Sequence, residues 1–163
     1  MKHIYWLRDG VIAGRTGPDR DGWSPTQLAK AGIGAILSVN DAALVHVEDL
    51  HEVGISHKCV PFSDAAPPLP GDFEVCLDAL PRALEFAVHE IASGKSVLVH
   101  CSSGKDRTGM FLSYFLCVTE GLSPGEAIME LRRFRPIALS AEGWEEFTFQ
   151  VLTTLAGRSN EGA

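Results

Sequence analysis

A chain of 163 residues, 45% of them hydrophobic, is long enough to bury a core but short for two ordinary domains, so residues 1–163 read as one domain. A formal charge of -7 excludes a broad basic face of the kind that neutralises nucleic-acid backbones, and with it a nucleic-acid partner, while leaving room for a small cationic pocket. Four cysteines without a CxxC pair suit a reducing compartment better than a disulfide framework or a zinc site, and neither the opening MKHIYWLRDG nor the apolar run around Met110 to Val118 has the length or flanks of a leader or a bilayer span; the expected address is the cytoplasm, without stable membrane insertion.

IYWL and VIAG on either side of Arg8-Asp9-Gly10 read as a short hairpin, because Asp-Gly supplies the positive dihedrals of a tight turn. Ser24-Pro25-Thr26-Gln27 opens a helix that Gly32 closes, and IGAILSV follows as a buried strand. Asn40 and Asp41 are placed to cap a short helix running to about Leu50, and ISHKCVPF is the next strand candidate. The loop SDAAPPLPG, with three prolines, excludes regular structure. FEVCLDALPRALEFAVHEI has an amphipathic helical pattern that Pro81 is expected to kink or split. SVLVH is short, β-branched and bounded by Gly94, as expected of a central parallel strand. MFLSYFLCV suits a buried helix, Ser123 to Glu126 form a capping box for a helix ended by Pro136, and Ser140 is expected to cap a last helix to about Ala156. The tail GRSNEGA, from about residue 157, reads as frayed. Early alternation followed by helices predicts an α/β domain with a central, mostly parallel sheet flanked by helices, in which ligands sit beyond the carboxyl ends of strands.

The segment HCSSGKDRTG, His100 to Gly109, lies at such an end. A turn from a strand into a helix N-terminus aims backbone N–H groups inward and makes an anion site suited to phosphate. Ser102, Ser103, Gly104, Lys105 and Asp106 supply that turn; Gly104 lets the backbone curve and Gly109 lets the helix pack closely. Arg107 adds a planar fork for two phosphate oxygens. Cys101, at the base of the cradle, is held in a setting that favours its thiolate, a nucleophile placed for in-line attack on phosphorus with no metal or cofactor required. Lys105 adds a second cation.

The string HC-x-x-G-x-x-R-[ST]-G at His100, Cys101, Gly104, Arg107, Thr108 and Gly109 resembles the signature of the cysteine-dependent protein tyrosine and dual-specificity phosphatases. That resemblance implies a single phosphatase catalytic domain with a strand, phosphate loop and helix at its active site. It makes Cys101 the nucleophile, Arg107 the phosphate clamp, Thr108 the hydroxyl assisting the departing thiolate, and His100 a support for Cys101 from outside the pocket.

Such chemistry needs an acid to protonate the leaving oxygen. Asp64, on the proline-stiffened loop, resembles the acid of small dual-specificity enzymes and of phosphatase-and-tensin lipid phosphatases; the alternative is a turn carboxylate capping a nearby N–H. Asp72 is the second candidate, although its place after Gly71 suits a helix cap, and Asp106 is the third, although it more readily steadies Lys105 or a neighbouring loop. The segment ALSAEGWEEF has no glutamine of the kind many tyrosine-specific members place there, which favours the small dual-specificity branch. The expected substrate is a phosphorylated protein or peptide; the Gly104-Lys105 pair leaves a phosphoinositide or another small phosphoester open. A non-catalytic phosphate binder and a sulfurtransferase are the readings outside hydrolysis. Cys59 is in principle a thiol able to form a protective disulfide with Cys101, against a plain buried-strand role. Arg132, Arg133 and Arg135 form a small basic cluster, either solvated or a dock for an acidic substrate segment.

Overall fold

A computed structural model describes residues 3–161. Its elements in chain order are β1 (Tyr5–Arg8), β2 (Ile12–Arg15), α1 (Pro25–Lys30), β3 (Ile33–Ser38), α2 (Val47–Glu52), β4 (Ser56–Cys59), α3 (Asp72–Ala92), β5 (Ser96–His100), α4 (Arg107–Glu120), α5 (Pro124–Phe134) and α6 (Trp144–Glu161). The five strands form one sheet in the order β1-β2-β5-β3-β4. β1 is antiparallel to β2 through the expected hairpin, and every other pairing is parallel. The sheet is therefore mostly parallel, with SVLVH at its centre between β2 and β3.

The alternation of side chains along a strand decides which way each residue of the phosphate loop leaves the sheet. Val97, Val99 and Cys101 join the larger core, shared with α3, α4, α5 and α6. Leu98 joins the smaller core, under α1 and α2. His100 follows Leu98 to that side, where its ring meets Trp23 edge-on with centroids 5.0 Å apart. Cys101 and His100 thus sit on opposite faces of the sheet because they are consecutive in the chain at the end of one strand.

The local signals at α1 and α5 act as expected. Ser24 Oγ accepts from Gln27 N at 3.3 Å, and at α5 Ser123 Oγ accepts from Glu126 N while Glu126 Oε1 accepts from Ser123 N. Elsewhere the structure corrects the sequence reading. α2 starts at Val47 without a side-chain cap, because Asn40 turns its amide to the loop after β4 and Asp41 takes a positive φ of 55°. β4 ends at Cys59, short of the end of the apolar run at Phe62. α3 passes through Pro81 unbroken over 21 residues; Pro81 is exposed, and the buried stripe Cys76, Leu77, Leu80, Ala83 and Ala87 on the same helix offsets the roughly 3 kcal/mol that an interior proline costs.

Asp72 is the first residue of α3, after Gly71 at φ 97°. Its Oδ2 accepts from Leu69 N and from the Ser63 hydroxyl, both at 2.7 Å, so it staples the proline loop. Ser140 does not cap α6, which begins at Trp144 behind Gly143. The turn before it is engaged with the phosphate loop instead: Leu139 N donates to Lys105 O at 3.1 Å and Ala141 N to Asp106 Oδ1 at 3.2 Å. α6 continues to Glu161 through most of the segment read as frayed; residues 162 and 163 lie outside the described residues. Among the described residues no helix is long and apolar enough to cross a membrane.

Candidate active site

Between β5 and α4 the chain turns through Cys101 to Asp106, and five successive carbonyls of that turn are drawn outward. Cys101 O accepts from His100 Nδ1 at 3.0 Å, Ser102 O from Gly17 N at 2.8 Å, Ser103 O from Arg135 Nη2 at 2.9 Å, Gly104 O from the Tyr5 hydroxyl at 2.7 Å and Lys105 O from Leu139 N at 3.1 Å. In a trans peptide the C=O of one residue and the N–H of the next point opposite ways. Five outward carbonyls therefore turn the amides of Ser102, Ser103, Gly104, Lys105 and Asp106 toward the concave side, as an anion cradle requires. Gly104 has φ +69°, and a Cβ there would stand 2.6 Å from the backbone of Arg15, so no other residue fits this close passage.

Cys101 is fully buried, and Thr108 Oγ1 donates to its Sγ at 3.1 Å. Arg107 opens α4; its Nε donates to Ser63 O, and its guanidinium lies over the Trp144 ring at 5.2 Å. Lys105 does not stand free, since its Nζ is 2.7 Å from Asp106 Oδ2. Asp106 is buried, and its carboxylate bridges Lys105 and the turn before α6. Ser102 Oγ donates to Asp19 Oδ2 at 2.6 Å and accepts from Arg20 Nε at 2.9 Å.

Asp64 follows Ser63, the residue that holds Arg107, on the short chain after β4. Its Oδ1 accepts from Asn40 Nδ2 at 2.6 Å, and the same amide donates to Ser63 O at 3.1 Å. Trp144 Nε1 donates to Ala65 O at 3.0 Å. The proline loop is thus docked by Asn40, Arg107 and Trp144, and the exposed Asp64 carboxylate follows the Ser63 carbonyl that Arg107 binds. Asp41 stands close by: burial, then the nearby Asp19, pushes its carboxyl upward, and Arg107 opposes them. The mouth of the cradle therefore carries Asp19, Asp41 and Asp64 around the guanidinium groups of Arg107 and Arg20.

His100 is fully buried, and burial pushes its imidazole down to about 4, so the ring is neutral. Burial pushes the Cys76 thiol up to about 12 and that of Cys117 to about 11, which leaves both inert. Cys59 is exposed at the end of β4, which overturns the buried-strand reading, and it does not approach Cys101. Ser38 pairs with Cys59 on one side and with His100 on the other, so two strand spacings, roughly 9–10 Å, separate β4 from β5; a disulfide needs Cα atoms within about 7 Å. The basic cluster is also spent, with Arg132 on Glu145, Arg133 on Glu130 and Arg135 on the phosphate loop.

A family model described as a Swiss Army Knife protein, DSP-PTPase phosphatase domain, matches residues 1–148. The chain belongs to the dual-specificity and protein tyrosine phosphatase family. Among curated relatives of this phosphatase domain, human dual specificity protein phosphatase 12 is 31% identical over 126 residues, covering 74% of the chain and 34% of the relative. The phosphatidylglycerophosphate phosphatase PTPMT1 of Arabidopsis thaliana is 25% identical over 135 residues, covering 78% of the chain and 38% of the relative. The chain spans about a third of the length of the curated relatives it matches. Of solved structures, Tk-PTP in its active form superposes with a TM-score of 0.71 at 24% identity over 96% of this chain and 98% of that one, and PTPMT1 with 0.74 at 16% identity over 97% and 99%. At those identities the likeness is one of fold.

Asn40, Trp144, Tyr5 and Ser38 complete the site and are not legible as site residues in the sequence, and Arg135 is legible there only as one of a basic cluster. Each acts through a bond to a segment distant along the chain, and nothing in its own neighbourhood marks that bond.

Proposed function

We propose that this phosphatase domain hydrolyses phosphate monoesters through a phosphocysteine intermediate, with Cys101, Arg107, Asp64 and Thr108 as its catalytic residues. The observation that carries the reading is the ring of outward carbonyls, which leaves five amides to converge where a phosphoryl group would sit above the Cys101 sulfur. In the first step the thiolate forms a bond to phosphorus as the ester P–O bond breaks, and Asp64 gives its proton to the departing oxygen. Arg107 and the amides of Ser102 to Asp106 carry the charge spread over the equatorial oxygens. In the second step the Asp64 carboxylate takes a proton from water, the new O–P bond forms and the P–S bond breaks. The Thr108 hydroxyl, 3.1 Å from Sγ, stabilises the thiolate that leaves, and inorganic phosphate departs.

The substrate class best supported is protein phosphotyrosine or dual-specificity substrate. The relative at 31% identity carries that name, Lys105 is already paired with Asp106, and Asp19 and Asp41 at the mouth, set against the further cation Arg20, disfavour a ligand with several phosphates. A phosphoinositide or related small phosphoester is the second reading, supported by a relative named phosphatidylglycerophosphate phosphatase and by a structural neighbour solved with PI(5)P. The deciding experiment is phosphate release from matched phosphotyrosine peptide, phosphoserine peptide and soluble phosphoinositide, with Cys101→Ser as blank. The first is expected to be turned over fastest and the blank not at all. Preference for the lipid promotes the second reading, and undiminished turnover by Cys101→Ser removes the nucleophile.

A further inference from the structure

Polar groups contributed by three neighbouring strands form an unbroken line behind the cradle, and the reaction as written uses none of them directly. His57 Nε2 on β4 lies 2.8 Å from Ser38 Oγ on β3. Ser38 Oγ lies 2.6 Å from His100 Nε2 on β5, and His100 Nδ1 lies 3.0 Å from the Cys101 carbonyl. Ser38 and His100 are both fully buried, so each of these contacts must be a hydrogen bond of the right polarity.

The polarity follows from one end. A carbonyl oxygen only accepts, so His100 must carry its proton on Nδ1. The buried ring is neutral, which leaves Nε2 bare and in need of a donor. Ser38 is that donor. With its single hydroxyl proton committed to His100, Ser38 can only accept from its other neighbour, and His57 must present Nε2–H to it. Every bond in the line therefore points the same way, from His57 toward the nucleophile's own peptide.

We propose that Ser38 and His57 are positioning residues for the nucleophile: they select the Nδ1–H tautomer of His100, and through it hold the Cys101 carbonyl outward and the Ser102 amide inward. With the opposite tautomer, the lone pair of Nδ1 would face the lone pairs of the Cys101 carbonyl, and the repulsion would turn that peptide. The Ser102 N–H lies in the same plane and would rotate out of the cradle with it. The effect on turnover rests on Cys101 being the nucleophile; the tautomer itself does not.

The test is nitrogen NMR of the full chain with ¹⁵N-labelled histidine, paired with kcat/KM on an aryl phosphate. The wild-type His100 ring is expected as the Nδ1–H tautomer with a hydrogen-bonded Nε2. Ser38→Ala is expected to admit the Nε2–H tautomer and to lower kcat/KM by ~10-fold, less than the roughly 10²–10³ of a deleted oxyanion donor because the amide is misaimed rather than absent. Ser38→Thr keeps the hydroxyl and is expected to restore both. His57→Phe, which retains Ser38 but deletes its donor, is expected to shift the His100 Nε2 resonance and cost about two- to threefold in kcat/KM, since the Ser38 hydroxyl still reaches the ring. An Nε2–H tautomer in the wild type overturns the proposal, as does Ser38→Ala with tautomer and kcat/KM unchanged. If Ser38→Ala does not fold, His57→Phe decides alone: an unmoved His100 resonance overturns the proposal. A chain that turns over no phosphate ester would sink the phosphatase reading and leave the tautomer measurement standing.

Discussion

His100 is where a single residue links the site to the stability of the fold. It follows Leu98 onto the smaller core, is fully buried and is held near 4 by that burial, against an ordinary value near 6.5. In the unfolded chain the ring takes up a proton as pH falls through 6.5, whereas in the folded chain it does not until about 4. The unfolded state thus binds more protons in that window, and stability falls as pH falls across it. A shift of this size corresponds to at most about 3 kcal/mol from this one group. Urea unfolding at about pH 7 and about pH 4.5 is expected to give a large drop for the wild type and a clearly smaller one for His100→Asn, which has no ring to titrate. Equal drops in the two proteins would assign the acid sensitivity to carboxylates elsewhere.

The elements differ in how far their own residues announce them. The caps of α1 and α5 and the hairpin at Gly10 are written in the few residues where they act, and the spacing from Cys101 to Arg107 lies within one short loop, so all are legible in the sequence. Asn40 misleads as a cap for α2 because an Asn ahead of a helical pattern looks the same whether its amide serves the next turn or a loop 24 positions on. Pro81 misleads as a point where the helix would split, because a local rule about proline takes no account of the buried stripe that holds α3 together. Ser140 misleads for a third reason, the phosphate loop competing for the turn it belongs to.

What Asn40 does instead can be measured, because it joins the end of β3 to the acid loop through two bonds from one amide. Asn40→Ala frees the Asp64 carboxylate to wander and removes one bond to Ser63 O, while the five amides and the Arg107 bond to that carbonyl are expected to stay. The loss is expected to depend on the leaving group: about tenfold in kcat/KM for an unactivated phenyl or alkyl phosphate, a fraction of the roughly 10²–10⁴ that a positioned acid supplies, and less than about threefold for an aryl ester whose oxygen departs without a proton. A uniform loss across both esters would show that the substitution had damaged the cradle and not the acid.

At the scale of the whole molecule the charges pull in two directions. The chain carries -7 overall, yet the proposed reaction needs a phosphate dianion in its cradle. The five amides and Arg107 act at contact distance, where local geometry dominates, while Asp19 and Asp41 at the mouth, partly offset by Arg20, and the net charge beyond them act on whatever is attached to the phosphate. A phosphopeptide with lysine or arginine beside its phosphotyrosine should therefore meet an attractive field on approach, and one flanked by glutamate a repulsive one. The basic-flanked peptide is expected to have the higher kcat/KM, by roughly three- to tenfold at low ionic strength, with most of the difference in KM. Raising salt shortens the screening length to about 8 Å at 0.15 M and to about 3 Å at 1 M, so the two peptides should converge as salt increases. If the preference persisted undiminished at high salt, selection would have to come from a contact close to the cradle, and Asp19, which already holds the Ser102 hydroxyl at 2.6 Å, would be the first carboxylate to replace.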